Sequence, residues 1–107
     1  MPAKEFAKSV ACEFGKELRA ARTERGLTQQ TLAEQAGIDP VFVSFLENGH
    51  RQPSLAVVLA LESVLNVAAG ELVRRVTERL SAVTDAPQSS KRTSRMLGAT
   101  AQRRIPQ

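Results

Sequence analysis

The chain has 107 residues, 42% apolar and 24% charged, which is one small globular domain rather than a fibrous or disordered polymer. Its one cysteine, Cys12, excludes an internal disulfide framework and favours a reducing compartment, while the longest apolar run, residues 55–61, falls far short of the ~20 residues that span a bilayer. The net charge of +4 is unevenly placed: residues 1–83 hold ten Lys or Arg against ten acids, so residues 84–107 supply the whole excess.

Acids and lysines occupy the N-terminal stretch where a secretory signal would need its apolar centre, so a soluble, cytoplasmic protein is expected. From there Phe6, Val10, Phe14, Leu18 and Ala21 recur at the spacing of one helical face, and Gly26 marks the end of that first helix. Thr28 is placed to cap a second helix, with Leu32 and Ala36 on one face, and Gly37 stops it after about two turns. Asp39-Pro40 is the next start signal, an acid as cap and a proline at the first helical position; the third helix runs to Asn48 and Gly49.

Ser54 caps a fourth segment whose apolar residues, Leu55, Val58, Leu59, Leu61, Val64 and Leu65, wrap far enough round to predict a mostly buried central helix. Asn66 suits the left-handed end of that helix. A fifth helix is expected from Ala69 to about Val83, with Leu72, Val73, Val76, Leu80 and Val83 along one stripe. No segment alternates as a half-buried strand would, so the expected fold is all-α: five helices with short links. Residues 84–107, with Pro87, Pro106 and a Ser/Gln cluster, show no period and read as a flexible basic tail able to lie on phosphate.

Two short helices joined by a glycine turn form the arrangement in which one helix braces on the DNA backbone and the next enters the major groove. The spacing alone is common. The residue pattern is more specific: GLTQQTLAEQAGI at 26–38, VSFLENG at 43–49 and RQPSL at 51–55, with FGKEL at 14–18, LNV at 65–67 and ELV at 71–73. It resembles the Cro and phage-repressor type helix-turn-helix family, the XRE family, over roughly residues 14–73. The resemblance implies a five-helix, lambda-repressor-like DNA-binding domain at 14–83, with the motif at 28–48. Residues 1–13 are then an N-terminal extension of the first helix, and residues 84–107 the tail.

Carried over by position, the resemblance implies phosphate contacts at Thr28, Gln29, Asn48, Gly49 and Arg51, and base reading at Asp39, Pro40, Val41, Ser44 and Phe45. It also implies a structural ion pair between Arg22 and Glu47, with Ala33, Gly37, Ile38, Val43 and Leu46 as core positions. The base-reading set departs from the Gln, Ser, Arg and Lys common in relatives: one hydroxyl, one acid and three apolar groups. Val41 and Phe45 therefore suit either thymine methyls or a protein partner. Residues 26–50 contain no Lys or Arg, so attraction for phosphate must come from their flanks or from the tail.

The function implied is sequence-specific regulation of transcription on double-stranded DNA as a homodimer; the stripe Leu72, Val76, Leu80 and Val83 is read as the dimer contact, with packing back on the first helix against Phe6 and Val10 as its alternative. The alternative is an antitoxin or co-regulator whose main role is to bind a protein partner. No cofactor, metal or membrane is called for. His50 stands alone in a loop, Cys12 suits partial burial as a small apolar residue, and neither has the neighbours that catalysis requires, so no enzyme is expected.

Overall fold

The computed structural model describes residues 2–84; the basic tail and the Val83 side chain lie outside the described residues. Five helices follow in order: α1 (Ala3–Glu24), α2 (Gln29–Ala36), α3 (Pro40–Glu47), α4 (Leu55–Val64) and α5 (Glu71–Thr84). Among the described residues there is no strand. The chain divides into two units at Thr77, and the core described below belongs to the first.

Local chemistry sets the helix starts. Thr28 Oγ1 accepts the Thr31 N–H, Asp39 Oδ1 accepts the Val41 N–H at 2.7 Å, and Ser54 Oγ accepts the Val57 N–H. Each satisfies a donor that the first helical turn leaves open. Between α2 and α3 the chain reverses at Gly37, whose φ of 76° is a left-handed conformation that a side chain would strain.

The core is aliphatic around one ring. Phe14, Leu18 and Ala21 of α1 meet Leu32 and Ala33 of α2, Val43 and Leu46 of α3, and Val58, Leu61 and Leu65 at α4, with Leu72 and Val76 of α5 also buried. α3 packs on both α1 and α2, and α2 packs on α4. The motif therefore sits in the middle of the fold, braced from two sides.

Periodicity overstated burial in two places. Phe6, at the start of the α1 stripe, is 47% exposed, and Ala11 rather than Val10 is buried. The early turns of α1 run beside the loop at residues 49–52, and Ala7, Lys8 and Ala11 line an open concavity between them. Likewise α4 is not wrapped on all sides. Leu55 and Leu59 are 70% and 45% exposed, because neighbouring helices cover only the face carrying Val58, Leu61 and Leu65. Cys12 is exposed, not partly buried.

One buried polar group was not anticipated. Glu62 is fully buried, and its two carboxylate oxygens accept the N–H groups of Gly70 and Leu72, both at 2.9 Å. The acid that interrupts the apolar run of α4 is thus the cap of α5, where a negative charge also meets the positive end of the helix. Glu62→Gln keeps the shape but sets an NH2 group against one of those donors. It is expected to lower the unfolding free energy by about 2 kcal/mol, read by urea denaturation. An unchanged midpoint would show that the two bonds contribute nothing. At the same helix start, Arg74 and Arg75 grip Glu71 and hold its carboxyl down at about 2.

Candidate DNA interface

α3 has one face in the core and one face in solvent. Val43, Leu46 and Glu47 point inward, while Val41 is 58% exposed and Phe45 37% exposed. What fixes the helix is Glu47, whose side chain is 1% exposed. Arg22 of α1 meets it with Nε donating to Oε2 at 2.6 Å and Nη2 donating to Oε1 at 3.1 Å. Arg22 Nη1 also donates to the Leu27 carbonyl at 2.8 Å, which ties down the approach to α2. The bond to Glu47, opposed by burial, raises the Arg22 guanidinium above its ordinary value.

Glu47 collects two further groups. The Gln29 amide donates to Oε1 at 2.9 Å, and Arg19 Nε lies 3.7 Å from the same oxygen. One carboxylate therefore joins the C-terminal end of α3 to α1 and to the N-terminus of α2. Gln29, which the resemblance implies both contacts phosphate and braces the recognition helix, has one amide N–H committed to this brace; its second N–H is the donor left for DNA.

The other candidate residues lie around the outer face of α3. Asp39 is exposed, but one carboxylate oxygen caps the helix, and Pro40 has no donor to offer a base. Ser44 is half-buried, with Asn48 Nδ2 at 3.5 Å from its hydroxyl. Phe45 is not an open apolar group: the Arg51 guanidinium lies over its ring at 5.7 Å, and the His50 ring stands beside it at 6.3 Å, tilted by 48°. Val41 thus stands open on the outer face, Ser44 is half-buried beside it, and Arg51 is held at the rim by a cation–π contact. The residue run showed no sign of that contact, because it depends on how the loop folds back after Gly49.

Leu72 and Val76, assigned to a dimer seam from their stripe, are buried within the fold and are not available to a second copy. Leu80 lies beyond Thr77 in the second unit, and the Val83 side chain is not described. The stripe was read correctly as apolar, but its first half is core.

Sequence reasoning also passed over Gly15. A methyl group at this α1 position would lie 2.4 Å from the Leu46 carbonyl oxygen and 2.6 Å from that of Glu47. A glycine within an otherwise regular helical stripe was the available signal.

Two short helices joined by a left-handed glycine, the second locked to the body by a buried carboxylate, define a helix-turn-helix protein, a DNA-binding regulator of transcription. A family model described as helix-turn-helix matches residues 18–72, and the chain belongs to that family in its XRE form. It is 37% identical over 59 residues to an HTH-type transcriptional regulator of Bacillus subtilis, YazB, covering 55% of this chain and 86% of that one. It is 39% identical over 71 residues to a propionyl-CoA carboxylase regulator of Cereibacter sphaeroides; this match takes in 66% of the chain but only 15% of that protein's length. Among solved structures, the restriction-modification controller protein C.AhdI of Aeromonas hydrophila is 40% identical, with a TM-score of 0.57, over 58% of this chain and 94% of that one. The family and fold are those of transcription regulators, and no helix among the described residues is long and apolar enough to cross a membrane.

Proposed function

We propose that the chain acts as a homodimer on a two-fold DNA site in the bacterial cytoplasm, each copy laying α3 in the major groove. A single α3 reaches only a few base pairs, and two copies on half-sites about one helical turn apart supply the missing specificity. The observation that carries this reading is the contrast between the two sides of α3: the inner side is locked through Glu47, and the outer side presents an exposed Val41 with the half-buried Ser44 beside it. A recognition element needs both, since a loose helix would give up conformational freedom on binding and lose affinity by that amount.

Val41 supplies an apolar surface for a thymine methyl and Ser44 one hydrogen bond to a base edge. Positioning falls to groups that touch the backbone: the N–H groups of Gln29 and Gln30 at the start of α2, the second amide N–H of Gln29, Thr28, the Asn48-Gly49 corner and Arg51. Exposed Leu55 and Leu59 on α4 and Val73 on α5 offer the apolar surface for the second copy, in place of Leu72 and Val76. The two-residue reading surface suits a regulator of modest specificity.

The test is fluorescence anisotropy of the full chain on the DNA upstream of its own gene and on a shuffled duplex, at two salt concentrations. Tight binding to the upstream DNA alone, weakening with salt, is the expected result. Equal binding to both duplexes would remove sequence specificity. No binding to either would replace this reading with that of an interaction protein, whose partner covers Val41.

A further inference from the structure

The helix-turn-helix itself has no cation to offer DNA. Residues 26–50 hold Glu34, Asp39 and Glu47 and not one Lys or Arg. Attraction for phosphate, which dominates affinity in such complexes, has to be brought to the motif by whatever lies beside it. On the loop side of α3 that is Arg51, resting on the Phe45 ring.

The early turns of α1 are the other element there. They precede residue 18, where the family match begins. They are nevertheless stitched to the loop after α3: the Gln52 side-chain amide donates to the Ala7 carbonyl, and Gly49 lies close against Cys12, where an added methyl would stand 3.2 Å from the Cys12 Cα. Between them is an open concavity of about 150 Å³ whose rim includes Lys8, His50, Arg51 and Gln52. The acids on this part of α1 are Glu5, Glu13 and Glu17, and Glu13 pairs with Lys16, whereas neither Lys8 nor Arg51 has an ion-pair partner among the described residues. Two cations from distant parts of the sequence thus share one rim, next to the exposed face of α3.

We infer that Lys8 is a DNA-backbone contact: the extended N-terminal half of α1 adds a phosphate-binding group to the corner that Arg51 occupies, so the footprint of each copy runs past the helix-turn-helix. This rests on the DNA-binding reading and adds to it a positioning residue outside the family-matched segment. Lys8 carries no sequence information; a phosphodiester oxygen is its ligand whatever base lies beside it.

The experiment is a salt titration of the full chain on a 30-base-pair duplex of mixed sequence, comparing wild type with Lys8→Ala and Lys8→Arg. Each phosphate neutralised contributes about 0.9 to the slope of log K against log salt concentration. Lys8→Ala is expected to lower the steepness by about that amount, and Lys8→Arg to restore it. Arg74→Ala, at the start of α5 and paired with Glu71, controls for net charge and should leave the slope in place. A Lys8→Ala slope equal to that of wild type, in a protein of unchanged helical circular dichroism, overturns the inference. A decrease equal to that of Arg74→Ala overturns it as well, since net charge would then be the cause. If wild type binds neither this duplex nor its upstream DNA, the failure lies in the DNA-binding reading itself.

Discussion

Glu47→Ala is expected to lower the unfolding free energy by about 3–5 kcal/mol, which removes much of the stability a domain of this size has. The reason lies in what the truncation leaves behind. Arg22 is only 12% exposed at its side chain, and without Glu47 its guanidinium keeps the Leu27 carbonyl alone. Arginine cannot escape by losing its proton, so the cavity must open to water or the charge stays stranded. Gln29 loses its acceptor at the same time. Arg22→Met should cost somewhat less, since the Glu47 carboxylate would remain buried but keep the Gln29 amide at 2.9 Å and Arg19 at 3.7 Å. The double variant Arg22→Met with Glu47→Leu should recover a large share, because both charges leave together and the space is refilled with apolar groups. Urea denaturation of wild type, Arg22→Met, Glu47→Leu and the double variant measures the coupling. A double variant as unstable as the sum of the two singles would show that the pair acts through packing rather than through charge.

The same carboxylate shows which parts of the molecule were legible in the residue string. Caps at Thr28, Asp39 and Ser54 could be read directly, since each depends on one side chain and a donor two or three residues away. Arg22 and Glu47 are 25 positions apart, and only the family resemblance linked them; the same resemblance gave Gln29 as a brace on the third helix, without naming the Glu47 oxygen as its acceptor. Helical period identified apolar faces but not how much of each face a neighbour covers. That is why Leu55 and Leu59 proved exposed, and why Leu72 and Val76 belong to the core rather than to a seam. At the DNA face the difficulty was of another kind. Phe45 has the right position on α3 for base reading, but its availability depends on where Arg51 and His50 return after the Gly49 turn, which is a property of the loop in space.

Gly15→Ala should destabilise the protein by about 3 kcal/mol or more, against the usual direction of such a change. In an exposed helix interior, alanine is favoured over glycine by about 1 kcal/mol, and α1 at this point is regular. The contacts reverse the sign. The new methyl would stand 2.4 and 2.6 Å from two carbonyl oxygens and 2.9 Å from the Glu47 carbonyl carbon, all of them backbone atoms of α3. No side chain can turn aside to relieve this, so the helices must separate, and overpacking that moves backbone lies at the upper end of the usual cost. Separation also strains the bonds that Arg22 and Gln29 make to Glu47 at that same end of α3. The thermal midpoint should therefore fall by more than about 10 °C, given 4–8 °C per kcal/mol for a domain of this length. DNA affinity should fall further than stability alone accounts for when measured well below that midpoint, because a tilted α3 no longer presents Val41 and Ser44 together with Arg51. A Gly15→Ala protein with a raised midpoint would mean that α1 does not approach α3 this closely in solution. One with a lowered midpoint but unchanged DNA affinity would separate the crossing from recognition, and would assign Gly15 to the fold alone.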